Sequence, residues 1–183
     1  MTISPLNEGI LQSAPRDSFL TAPLVLMRLA LFQPDIPQNT GALMRLAACF
    51  GVPLDIIEPC GFPFDDKRLK RTVMDYGAAC NVTRHISWPV FQANLRRQPQ
   101  GRLVLLSTAA TTSHVHHRFC NDDTLLVGRE SHGVPPDVHQ AADSAVKIPM
   151  AGEVRSLNVV VAAAIVLAEA GRQLGWFNEL ILK

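Results

Sequence analysis

The chain has 183 residues, a formal net charge of +1 and 48% hydrophobic residues. That length favours one domain, the hydrophobic share excludes wholesale disorder, and the near-zero charge excludes a general polyanion-binding protein. The charge is unevenly spread: from Asp65 to Arg102, eight Lys/Arg stand against three Asp, a local surplus of +5 that permits one basic surface.

Residues 1–22 mix Ser, Pro, Asn and Thr without sustained periodicity. They read as an N-terminal extension that could be flexible, leaving residues 23–183 as one domain. Leu24 to Phe32 predicts a first strand. Pro34, Pro37 and Asn39 predict a turn, with Asn39 at a good helix N-cap position. Gly41 to Phe50 follows as a helix, since Leu43, Leu46, Ala47 and Phe50 fall on one helical face. Leu54 to Ile57 predicts a short strand closed by Glu58-Pro59. Asp65 to Met74 has the spacing of a charged surface helix, with Asp66 and Lys70 four apart.

Cys80 to Ile86 reads as a strand and Pro89 to Arg97 as a helix. Leu103 to Ser107, Thr124 to Gly128 and Ala145 to Ile148 predict three buried strands. Pro135-Pro136 opens a short helix, proline being tolerated in a first helical turn. Ser156 to Leu174 forms the last, long helix. From Val159 to Ala168 that helix is apolar on every side, which predicts burial in the domain centre or against a second subunit. Strands alternating with helices predict an α/β fold, a mainly parallel sheet with helices on both faces.

Cys49, Cys60, Cys80 and Cys120 are widely spaced and form no CxxC pair. They predict reduced, partly buried thiols in a cytosolic protein, and no zinc site. His114, His116 and His117 cluster in a polar stretch without a spaced partner motif, so no metal is expected there. The first residues lack the positive n-region of a secretory signal. The run from Val159 to Ala168 is too short to span a bilayer, so no membrane is expected.

Three segments place polar groups or glycines where apolar strands end, the position at which open α/β sheets bind ligands. In Gly128-Arg129-Glu130-Ser131-His132-Gly133 the glycines allow a tight turn and close ligand approach. No Gly-Lys-Ser/Thr follows, so this is not a P-loop, and it is not a GxGxxG turn running straight into a helix. His132 could contact a ligand. In the first segment Arg45 follows Asn39 by six residues. It is either a solvated or salt-bridged arginine, or a fixed cation that grips a phosphate or aligns a polar nucleophile. In the third, Ser156 could cap the last helix. Asn158 would then lie inside its first turn, where a buried amide demands partners. Ser156 has no Ser/His/Asp pattern around it, which argues against a hydrolytic nucleophile.

The order Asn-x-Gly-x-x-x-Arg from Asn39, Gly-x-Glu-x-x-Gly from Gly128, then Ile148-Pro149-Met150 and Ser156-Leu157-Asn158 resembles the SPOUT class of RNA methyltransferases. Phe32 to Gly41, Ile56 to Phe62, and Asp65 to Arg71 with Asp75-Tyr76 are most similar to the family that methylates the wobble-position ribose 2′-oxygen of tRNA. The resemblance implies an α/β domain with a C-terminal trefoil knot. It further implies S-adenosyl-L-methionine as methyl donor, S-adenosyl-L-homocysteine as product, no metal, a homodimer, and a tRNA anticodon loop as partner.

By position, it puts Leu106, Gly128, Glu130, Ile148, Met150, Ser156 and Leu157 around the cofactor. It makes Arg45 the reactive-site arginine, with Asn39, Glu130, Ser156 and Asn158 supporting catalysis or shaping the pocket. Arg45, Lys67, Arg68, Lys70 and Arg71 would suit the tRNA backbone. An arginine with pKa above about 12 is a poor base on its own. A positioning role for Arg45 beside an RNA phosphate is therefore favoured, and a base role stays open. Methylation of another tRNA or ribosomal ribose, and an RNA-binding knot protein with little catalysis, are the alternatives.

Overall fold

The computed structural model describes residues 27–64, 71, 80–97, 101–152 and 154–177. The extension 1–22 and most of the expected helix from Asp65 to Met74 lie outside the described residues. So do Lys67, Arg68 and Lys70; Arg71 is described and exposed.

Among the described residues seven strands form one sheet: β1 Arg28–Phe32, β2 Leu54–Ile57, β3 Val82–His85, β4 Leu103–Leu106, β5 Thr112–Ser113, β6 Thr124–Val127 and β7 Ser144–Lys147. Their order is β3-β2-β1-β6-β4-β7-β5, and every pair is parallel. Among the described residues the α-helices include α1 Pro37–Phe50, α2 Trp88–Leu95, α3 Pro136–Gln140 and α4 Val159–Leu174.

Side chains alternate across a strand with period two, and the core splits accordingly. Leu29, Leu31, Leu125 and Val127 point to one face, where they meet Leu43 and Ala47 of α1 and Val166 and Leu167 of α4. Ala30, Phe32 and Leu126 point to the other, where Trp88 and Phe91 of α2 and Val138 of α3 cover them. The expected α/β architecture with both sheet faces covered is therefore present.

Several element ends differ from expectation. Helix α1 begins at Pro37, four residues early, because a proline at the first helical position loses no hydrogen bond. Its N-cap residue is Ile36, which gives no side-chain cap, so Asn39 sits within the first turn and is not the cap. The helix ends where Gly51 adopts φ +65° and its N–H reaches the carbonyls of Ala47 and Ala48.

Helix α4 begins at Val159, not Ser156. The Asn158 side chain accepts from the Val160 N–H at 2.8 Å, so Asn158 is the cap. Both Ser156 and Asn158 are exposed, against the expected buried amide. Nor is α4 buried on every side. Ala163, Val166, Leu167 and Ala170 are buried, whereas Val161 and Ile165 are 48% and 36% exposed. Strand β5 and the 3₁₀ turn His114–His116 went unread, because two- and three-residue elements are too short to carry a period.

Candidate functional site

The site begins with strand register. Leu31 of β1 pairs with Val127 of β6, and Val127 pairs with Leu106 of β4, so three adjacent strands end level. Strands β2 and β3 continue on one side of β1, and β6, β4 and β7 on the other. In open parallel sheets a crevice forms beyond the strand ends where the order reverses. Here it is a cavity of about 420 Å³. Leu106 ends β4 and Ser107 and Thr108 follow it, Gly128 to Glu130 follow β6, and Ile148 and Met150 follow β7; all line it. Ile36 and Asn39 line it from the start of α1, and Ser156 to Val159 with Ala162 from the start of α4 and the residues just before it.

The turn after β6 is closed on itself. The Arg129 N–H donates to the Gly133 carbonyl at 3.0 Å, and the Gly133 N–H to the Arg129 carbonyl at 2.9 Å. Gly133 has φ +65°, and a Cβ on Gly128 would stand 2.7 Å from the Gly133 carbonyl carbon. Both positions therefore require glycine.

A line of hydrogen bonds then joins the three segments singled out in the sequence. The Glu130 carboxylate accepts from the Asp35 N–H at 2.8 Å and from the Asn39 amide at 3.2 Å. The Asn39 side-chain oxygen accepts from the Asn158 amide at 3.2 Å. Asn158 completes the line at the N-terminus of α4. Beside it, Asp35 accepts from the Ser131 N–H at 3.2 Å and from the Ser131 hydroxyl. That hydroxyl, having donated its proton, accepts from His132 Nδ1 at 2.7 Å. His132 itself is exposed and does not line the cavity.

Of the expected site residues, Asn39, Leu106, Gly128, Glu130, Ile148, Met150, Ser156, Leu157 and Asn158 are brought to this one cavity. Arg45 is not among the lining residues; it lies exposed on α1. Sequence reasoning passed over Ser107 and Thr108, although they follow a strand end by the same rule as Gly128. It also passed over Arg129, which lay inside the glycine turn.

The cavity falls within the roughly 300–1,000 Å³ of small-molecule pockets. Leu106, Val127, Ile148 and Leu157 give it apolar walls suited to a planar base, and the glycine turn brings backbone groups close. Asn39, Glu130 and Asn158 make one rim polar. This donor set fits a nucleoside-bearing cofactor.

Away from the cavity, His114 is buried, and burial together with nearby Arg102 holds His117 below the usual histidine range. Among the described residues no group of three or more His, Cys, Asp or Glu could hold a metal ion. All four cysteines are free. Cys49 and Cys120 are exposed, against the expectation of partly buried thiols. Burial, with help from Glu58, pushes the Cys60 thiol up to about 11.

Parallel strands, helices on both faces and a ligand crevice past the strand ends define an α/β protein of the doubly wound kind with a small-molecule site. More narrowly, the chain belongs to the SpoU rRNA Methylase family, whose model matches residues 26–168. It is 52% identical over 147 residues to a tRNA (cytidine(34)-2′-O)-methyltransferase of Beijerinckia indica, covering 80% of this chain and 91% of that protein. A solved structure concerned with 2-OH methylation of C/U34 on tRNA matches with TM-score 0.77 and 40% identity, covering 81% of this chain and 96% of the other. An AdoMet-bound rRNA methyltransferase from Sinorhizobium meliloti matches with TM-score 0.72 and 26% identity, covering 81% of this chain and 56% of the other.

Proposed function

We propose that this protein binds S-adenosyl-L-methionine in the cavity and transfers its methyl group to the ribose 2′-hydroxyl of the wobble nucleotide of tRNA, a cytidine or a modified uridine. The observation that carries the reading is the Glu130–Asn39–Asn158 line on the cavity rim, in a chain of this family. The cofactor supplies an electrophilic methyl group on sulfur, so no metal is called for. What the protein must do is hold a weak nucleophile in line with that carbon, and alignment alone can supply much of the barrier lowering. Leu106, Ile148 and Leu157 would pack the base, and Gly128, Met150 and Ser156 would border the rest of the cofactor. Asn39, Glu130 and Asn158 hold one another, so their polar atoms are preorganised. Arg45 would pair with an RNA phosphate and position the ribose; Lys67, Arg68, Lys70 and Arg71 would extend that contact along the tRNA backbone.

Three further features belong to the proposal. One is a C-terminal trefoil knot, supported by Gly128 to Glu130 after β6 and Ile148, Met150 and Ser156 to Asn158 after β7 lining one cavity although β4 separates these two strands. Another is a homodimer, supported by exposed Val161 and Ile165 one turn apart on α4, with exposed Leu157 just before them. Helix α1, which carries Arg45, packs against α4. The third is action in the cytoplasm on an anticodon loop, with which four free thiols agree. No helix of the described residues is long and apolar enough to cross a membrane.

The test is to incubate the purified protein with methyl-labelled S-adenosyl-L-methionine and tRNA lacking 2′-O-methylation, then map the label by nuclease digestion and mass spectrometry. Label on the wobble ribose is expected. Label on another ribose, or on ribosomal RNA, overturns the substrate; no label on any RNA overturns the activity.

A further inference from the structure

Arg129 and Glu130 are the two charged residues among those lining the cavity. Glu130 is occupied, by the Asp35 N–H and the Asn39 amide. Asp35, beside it, is occupied by Ser131. Arg129 differs. Its backbone is closed on Gly133, and its guanidinium carbon lies 5.5 Å from the centre of the Phe32 ring. Its Nε is buried and has no hydrogen-bond partner, and its charge has no carboxylate partner among the described residues. A buried donor left unpaired is rare enough in folded proteins to need a reason. The Phe32 face attracts the charge but offers no acceptor oxygen. It also restrains the side chain of Arg129, a residue of the cavity lining, so the planar fork of donors is held in an ordered state beside the cavity.

We propose that Arg129 is the oxyanion-binding residue of this site, taking either the carboxylate of the cofactor's methionine portion or a phosphate next to the target ribose. The inference rests on the methyl-transfer reading above. Both ligands present two oxygens in the spacing that a guanidinium fork matches with paired hydrogen bonds. Glu130, one residue on, makes no ion pair with Arg129; its oxygens accept from the Asp35 N–H in the turn after β1 and from the Asn39 amide on α1. The short antiparallel closure of residues 129 and 133 fixes where the Arg129 side chain leaves the backbone.

The experiment uses the full chain with Arg129→Met, which keeps an apolar stem over Phe32, and Arg129→Lys, which keeps the charge but loses the fork. Calorimetric titration is done with S-adenosyl-L-homocysteine and with 5′-methylthioadenosine, which has the nucleoside but no carboxylate. Binding of tRNA is measured at several salt concentrations. A carboxylate ligand predicts that Arg129→Met weakens S-adenosyl-L-homocysteine by about tenfold or more and spares 5′-methylthioadenosine. A phosphate ligand predicts unchanged S-adenosyl-L-homocysteine, weaker tRNA binding, and a salt slope lower by about 1. Arg129→Lys is expected to lose part of the same affinity, and it carries the test if Arg129→Met melts early. Wild-type binding of S-adenosyl-L-homocysteine and of tRNA, with both variants within about twofold of it for each, overturns the inference alone. A wild type that binds neither S-adenosyl-L-homocysteine nor tRNA overturns the methyl-transfer reading and the inference with it.

Discussion

Two regions of this molecule gather polar side chains, and they treat them in opposite ways. Between β1, β2 and β3, on the α2 face, Asp55 is 2% exposed and His85 is 4% exposed. Asp55 accepts from Arg28 Nε at 2.6 Å and from the same guanidinium at 2.9 Å, and it bonds His85 Nε2 at 2.7 Å. The Asn94 amide stands 3.4 Å from the other ring nitrogen of His85. Every charged group there has a protein partner, although a cavity of about 280 Å³ adjoins them. At the strand C-termini the bonds run across three loops instead, and Arg129 Nε is left over. A polar cluster that satisfies itself holds the fold together. One that keeps spare donors beside a cavity has them for something else.

The comparison can be broken by mutation. The largest expected effect is on stability. Asp55→Ala leaves partly buried Arg28 and buried His85 without their shared carboxylate and should cost about 3 kcal/mol, read as a lower urea midpoint. Methyl transfer per folded molecule should stay near wild type; a loss of activity without a loss of stability would make that cluster part of the site. Next is Glu130→Ala, which frees Asn39 and the Asp35 N–H at the rim. Misplacing catalytic groups by about 1 Å can cost about 10²-fold, so kcat should fall by that order while the thermal midpoint moves little. Glu130→Gln, whose one carbonyl oxygen can replace only one of the two carboxylate acceptors, should lie between.

The smallest effect sharpens the contrast between polar groups that stabilise and polar groups that wait. Arg172 and then Gln173 donate to Glu169 on α4 and hold its carboxyl at about 2, below the usual 4.5. A carboxyl depressed in the folded state adds stability that is present above the unfolded value and is lost as pH falls. Wild type should therefore lose this increment between about pH 4.5 and pH 2. Glu169→Gln should lack that part of the acid slope, so the two melting curves converge at low pH.

The strands of the sheet centre were legible because parallel strands buried on both faces read as unbroken apolar runs. Leu54–Ile57 has the bounds expected of it, and β4 and β6 each end one residue short. The start of α4 was not legible in the same way. Ser156 and Asn158 are both good capping residues, and sequence cannot rank them. Asn158 caps because its amide also reaches Asn39 on α1, a partner 119 residues away. The same holds for Asn39, which reads as a cap locally and instead binds Glu130, 91 residues on.

By itself, then, the sequence determined what is periodic or local: alternating strands and helices, the glycine turn at Gly128 and Gly133, and which three segments stand at strand ends. Only the tertiary structure decided which polar atoms meet and which side of α4 stays open at Val161 and Ile165. It alone decided that Arg129 lies on Phe32 with a donor to spare. The physical reason is range. A helical or strand period is a property of neighbours along the chain, whereas a hydrogen bond reads distance in space, and the sheet order sets that distance.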